Sequence, residues 1–206
     1  MTKKEFNSLD DSVASFELIK LLSEEKWKDI EHLSSEFGKG MRVKGLKWKK
    51  GLSESEIEDF ENQLGFKFPQ ALKNYYSVMN GLAIVNENFS EDEEIPFYQM
   101  LYRSYPKDIE LIKDSITFEC KFKNISKENL DSEKIPMIFN YCGNRYLIFD
   151  ENQQVLSIHQ GDAIYFGINL SIGLAKDIFN NFMDTKIEDL LKYKPVKCWL
   201  ENKYWS

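Results

Sequence analysis

The chain of 206 residues predicts an α+β fold. Three observations carry this. Amphipathic helical segments open the chain, β-rich runs separated by turn residues fill its middle, and helical spacing returns near its end. Strands that follow one another directly favour an antiparallel sheet packed with helices over alternating βαβ units. The expectation is one domain over residues 46–206, preceded by a helical extension over residues 1–45 and finished by C-terminal helices.

Residues 12–37 place Val13, Phe16, Ile19, Leu22, Trp27, Ile30 and Leu33 mostly three or four apart, the period of one bent helix or two consecutive ones. Ser12 and Ser23 are candidate N-caps, and Gly38 and Gly40 candidate stops. Residues 39–50 hold Lys39, Arg42, Lys44, Lys47, Lys49 and Lys50 without an acid. Two readings fit this stretch: a phosphate-binding patch, or a solvated edge strand whose lysines discourage pairing.

The stretch GLSESEIEDFENQLGFKFPQALKNYYSVMNGL, residues 51–82, is the most ordered in spacing. Ser53 precedes Glu56 by the three residues of a capping box. Ile57, Phe60, Glu61 and Leu64 share one helical face, and Gly65 closes the helix. Pro69 suits the first turn of a second helix, lined by Leu72, Tyr75, Tyr76 and Met79. Asn80-Gly81 supplies residues tolerant of positive φ, a stop after the second helix. The two helices form a hairpin of about a dozen residues each.

LAIV and IPFYQML read as strands around the acidic tip NENFSEDEE, and residues 106–134 as helix and loop. IPMIF, RYLIFD, QVLSIH and AIYFGI are four short β-rich runs, a meander or hairpin series. Leu174, Ala175, Ile178, Phe179, Phe182 and Met183 define a further amphipathic helix, TKIEDLLKY suggests another, and the aromatic PVKCWLENKYWS is expected to dock.

Composition narrows the function classes. Hydrophobic residues are 42% of the chain, enough for a sizeable core, so global disorder is excluded. The net charge of -7 disfavours a nucleic-acid backbone as partner and suits a basic one. Between residues 53 and 94, ten acids against two bases (Lys67 and Lys73) give -8. That polarity reads either as charge for solubility or as an electrostatic docking surface, with Glu91, Asp92, Glu93 and Glu94 its candidate contacts. No stretch approaches the ~20 apolar residues of a membrane span, and the N-terminus has no apolar run of a secretory signal. The expectation is a cytoplasmic chain.

Cys120, Cys142 and Cys198 are far apart and odd in number, so reduced buried thiols are expected rather than a disulfide framework. His32 and His159 are the two histidines. A Cys142–His159 nucleophile pair is conceivable, but no acid stands at a recognisable spacing to orient it. No phosphate loop, nucleophile elbow, zinc-protease helix or calcium loop is present. No catalytic residue, metal ligand or cofactor site is assigned.

The hairpin resembles the signature of the SUKH superfamily, the group that includes the Smi/Knr fungal cell-wall-assembly regulators and their bacterial relatives. Ile57, Glu61, Leu64, Gly65, Pro69, Leu72, Tyr76, Asn80 and Gly81 carry the likeness, with Phe68 where the family usually has Leu. IPMIFNYCGNRYLIFDENQQV and LAKDIFNNFM are similar to later family segments, so the resemblance covers about residues 50–185. It implies an α+β domain without catalytic residues, and for the bacterial type a non-enzymatic immunity protein that binds and neutralises a cognate polymorphic or contact-dependent toxin, often a nuclease. The alternative it implies is an intracellular regulatory or scaffold module that binds a protein. The motif positions read as scaffold: caps, turns and core.

Overall fold

A computed structural model describes residues 1–28, 46–83, 102–179 and 193–200. The architecture is α+β, with both sheets antiparallel. The chain divides into two compact units, Asp11–Ile109 and Thr2–Asp10 with Glu110–Ser206.

The first unit contains α2 (Val13–Trp27), β1 (Lys47–Lys50), α3 (Glu54–Leu64), α4 (Gln70–Val78) and β2 (Met79–Ala83). Ser12 caps α2 through its hydroxyl on the Ser15 N–H. Ser23 is not a cap. It lies inside α2, fully buried, donating to the Lys20 carbonyl at 2.9 Å and accepting the Trp48 indole N–H at 2.8 Å. The helix runs through it because the flanking Leu-Leu and Glu-Glu-Lys are strong helix formers. Trp48 is the inward side chain of the lysine-rich stretch. β1 pairs with β2 around it, and the Lys49 ammonium donates to Ser104 Oγ at 3.0 Å. The described part of that stretch is therefore a strand with a buried anchor.

The helix hairpin forms where expected, with helices of 11 and 9 residues. Ser53 and Glu56 make the full capping box, and Gly65 closes α3 in the left-handed conformation. Pro69 stands at the N-cap of α4. Asn80 and Gly81 do not form a terminal turn; they belong to β2, with Gly81 at φ +72°. The chain passes straight from α4 into a strand because β2 has a ready partner in β1. The core of this unit is aromatic: Phe60 meets Phe68 at 5.0 Å and Tyr76 at 5.2 Å between ring centroids, Phe16 meets Tyr75 at 5.8 Å, and Trp48 meets Tyr102 at 4.7 Å.

The second unit holds α1 (Lys3–Asn7), α5 (Ile109–Phe122, whose first residue falls in the first unit), α6 (Lys127–Ser132), the meander β3 (Met137–Cys142), β4 (Arg145–Phe149), β5 (Val155–His159), β6 (Asp162–Gly167), and α7 (Leu170–Phe179). One sheet face, with Ile138, Tyr146, Ile148, Leu156 and Ile158, packs with Cys120 of α5, Ile125, Val196 and Trp199. The segment 193–200 docks there. Gln154, 2% exposed, holds Lys194 by both its backbone groups, at 2.8 and 3.1 Å, and the Trp199 indole donates to the Pro136 carbonyl at 2.8 Å. Strand alternation turns Arg145 and Ser157 to the opposite face. There Arg145 meets Asp177 of α7 at 3.1 Å, donates to Ser157 Oγ at 2.7 Å and lies 3.7 Å over the Phe166 ring. IPFYQML, TKIEDLLKY up to Lys192, residues 29–45 and the last six residues lie outside the described residues.

Two predictions follow from these contacts. A Cβ at Gly51 would stand 1.9 Å from the Ser77 carbonyl oxygen, because Leu52 N–H is bonded to the Tyr76 carbonyl at 2.8 Å and holds the two backbones together. Gly51→Ala is expected to cost about 1–3 kcal/mol or more; an unchanged thermal midpoint would contradict this packing. Burial pushes the Asp177 carboxyl up to about 6 from 3.8, against the pull of Arg145. A raised carboxyl pKa favours the fold at low pH, and that advantage is lost as pH rises from about 4 to about 6. In Asp177→Asn this dependence vanishes. Urea denaturation at pH 4 and pH 7 should therefore show the stability difference moving by up to about 3 kcal/mol in the variant's favour; a constant difference would refute it.

Candidate protein-docking surface

Glu61 is the polar centre of the hairpin. It is 3% exposed, yet both carboxylate oxygens are occupied: Oε1 accepts the Phe68 N–H at 2.7 Å and the Lys73 ammonium at 2.9 Å, and Oε2 accepts the Lys67 ammonium at 2.9 Å. The turn between α3 and α4 leaves the Phe68 N–H without a helical partner, and the carboxylate supplies one. Burial pushes the Glu61 carboxyl up, but the Phe68 N–H and the two lysines outweigh it and hold it below the ordinary value.

The far end of the hairpin grips residues 102–105. The Asn80 side-chain amide donates to the Tyr105 carbonyl at 2.8 Å and accepts the Tyr105 N–H at 2.7 Å, imitating a strand partner. The Tyr76 hydroxyl donates to the Arg103 carbonyl at 3.3 Å. A Cβ at Gly81 would stand 2.5 Å from Ser104 Cβ, so the close approach needs glycine as much as the positive φ does. Residues 102–105 were not marked by any sequence signal, since their role rests on backbone groups.

Beside these contacts a groove of about 780 Å³ opens between α2, the Lys50–Glu56 segment and the end of α4. Val13 and Leu21, 42% and 66% exposed, line it from α2. Glu17, Glu24 and Glu56 bring carboxylates, the exposed Lys50 brings one ammonium, and Lys20 spends its own on the Val78 carbonyl at 3.0 Å. α2 is thus apolar on two sides: Phe16, Ile19 and Trp27 enter the core, while Val13 and Leu21 face the groove. Along α3, Glu54, Glu56, Glu58 and Asp59 are exposed and the helix contains no base. Glu91, Asp92, Glu93 and Glu94 lie outside the described residues.

The model of the SMI1 / KNR4 family (SUKH-1) matches residues 51–185, well over half of the chain. The chain belongs to this family. The match runs from Gly51, at the groove, through the hairpin and the meander and extends past the described end of α7. No curated protein matches the chain.

Within the SUKH-1 segment, Ile57, Phe60, Leu72, Tyr75 and Tyr76 are buried, Leu64 is half-buried, and Gly65 and Pro69 shape the turn. The candidate nucleophile pair is not assembled. Cys142 and His159 lie on β3 and β5 with β4 between them, and the register sets Ser157, not His159, across from Cys142, so their backbones are more than two strand spacings, roughly 9–10 Å, apart. Cys142 is buried while His159 is exposed. Burial raises the pKa of the Cys120 thiol, away from the reactive thiolate. Cys120, Cys142 and Cys198 are free thiols. Among the described residues no His, Cys, Asp and Glu group is arranged to hold a metal, and no helix is long and apolar enough to cross a membrane.

Glu61→Ala leaves the Phe68 N–H buried without an acceptor and removes the partner of two lysines. The expected loss is about 2–4 kcal/mol at pH 7. Because the folded pKa is lowered, this contribution is present above the unfolded carboxyl value and fades as pH falls through the folded one. Chemical denaturation of wild type and variant from pH 7 down to pH 3 should show the gap narrowing toward acid; a pH-independent gap would count against the ion contacts.

Proposed function

We propose that the chain is an immunity protein, which binds a cognate toxin domain stoichiometrically and neutralises it without chemistry of its own. The observation that carries this reading is membership of the SUKH-1 family over residues 51–185. The hydrogen bonds of its motif support it. Glu61, Tyr76 and Asn80 direct their polar atoms into the protein, so the motif builds a rigid platform and leaves recognition to the surface around it. The base-free outer face of α3 and the open groove next to it favour a basic partner, such as a nuclease domain. In this reading Glu91, Asp92, Glu93 and Glu94 speed the encounter, and the protein works in the cytoplasm, where such a toxin would act.

The test is co-expression of the tagged chain with the C-terminal domain encoded by its neighbouring gene, scoring survival and co-purification. Rescue with a one-to-one complex is expected. Failure of both would overturn the immunity reading and leave a regulatory or scaffold module that binds a different protein. In the complex, replacing Glu91, Asp92, Glu93 and Glu94 by Lys should slow association, most at low salt; an unchanged association rate would remove that segment from the interface.

A further inference from the structure

The second unit has an exposed apolar surface that its own core does not use. α5 sends Cys120 into the core, whereas Leu111, Phe118 and Phe122 are 37%, 46% and 47% exposed. Their separations of seven and four residues put them on one side of the helix. Phe118 and Phe122 pack edge to face, 4.9 Å apart. An exposed aromatic pair rimmed by polar groups is the usual mark of a contact surface.

Next to Phe118 lies a cleft of about 310 Å³ between α5 and the end of the sheet where β3 turns into β4. Tyr146 and Phe118 give it aromatic walls, and Asn144 and His159 stand at its rim. Asp114 and Glu119 line it too, and among the described residues no lysine or arginine does. Glu119 is fixed there: it is 3% exposed and accepts the Gln160 and Gly161 N–H groups at 3.3 and 2.8 Å, so it also closes the β5–β6 turn. Asp114 is exposed and available. Two cations stand nearby, and each has an acid of its own: Lys113 is paired with Glu110 at 2.8 Å, and Arg145, which donates to Asn144 Oδ1 at 2.7 Å, is paired with Asp177 at 3.1 Å.

The combination selects its occupant. A purely apolar side chain would desolvate Asp114 without compensation. An anion would meet two carboxylates. A lysine would satisfy the charge but is a strongly hydrated point charge with little to gain from the rings. A guanidinium is planar and weakly hydrated, stacks on aromatic faces and can bond a carboxylate with two N–H groups. We propose that this cleft receives an arginine side chain of a protein partner, flanked by an apolar residue that covers Phe118 and Phe122. The proposal rests on the second unit alone and does not depend on whether the partner is a toxin.

The probe is acetyl-Leu-Arg-Leu-amide, titrated into the isotope-labelled full chain and followed by amide chemical shifts. Shifts are expected to cluster at residues 114–119, 143–146 and 158–159. The citrulline peptide, which keeps the shape and loses the charge, should bind about tenfold more weakly, and the lysine peptide several-fold more weakly. Asp114→Asn and Phe118→Ala, both at exposed side chains, should each weaken binding about fivefold or more while leaving distant resonances in place. Absent or scattered shifts, equal responses to arginine and citrulline, or clustering at the α2 groove would overturn the proposal. So would a dimer of the chain that Phe118→Ala dissociates and the peptide does not touch, which would assign the surface to a second copy.

Discussion

The hairpin depends on one buried carboxylate. Removing Glu61 from water is costly, and the cost is offset because three donors converge on it: the Phe68 N–H and the ammoniums of Lys67 and Lys73. This fixes the turn between α3 and α4 and thereby the approach of Phe60, Phe68 and Tyr76. The order continues from there. With Tyr76 and β2 in place, the Tyr76 hydroxyl and the Asn80 amide can hold residues 103–105 against the end of the hairpin. An acid, a tyrosine, an asparagine and a glycine could be mistaken for pieces of an active site. Their partners are backbone groups and lysines of the same unit, and this is structural chemistry.

The second unit applies the same device to a different problem. Buried polar side chains there also take up backbone groups that the fold leaves open: Glu119 serves the β5–β6 turn, and Gln154 serves the docked segment at Lys194. The α2 groove and the α5 aromatic face each expose large apolar side chains beside carboxylates.

Local signals were readable wherever a few adjacent residues decide the structure. Ser53 with Glu56, Gly65, and the four β-rich runs with turns between them each state their conformation within a few residues, and the structure has them. Signals that depend on distant partners were not. Ser23 has the composition of a cap, and only Trp48, 25 residues away, shows why it is a buried hydroxyl. Asn80-Gly81 has the composition of a turn, yet β1 and residues 102–105 draw it into a strand. The arginine cleft had no sequence signal at all. Asp114, Phe118, Tyr146 and His159 are brought together by the packing of α5 on the meander, and the period of residues 106–134 does not disclose which side of that helix faces water.

Native-state hydrogen exchange of the Phe68 and Tyr105 amides tests the dependence on Glu61 most directly. These N–H groups are held by Glu61 and by Asn80, at opposite ends of the hairpin. If the carboxylate organises the whole hairpin, Glu61→Ala should accelerate exchange at both amides together, as one cooperative opening. Faster exchange at Phe68 with Tyr105 unchanged would contradict the account, reducing Glu61 to a local cap.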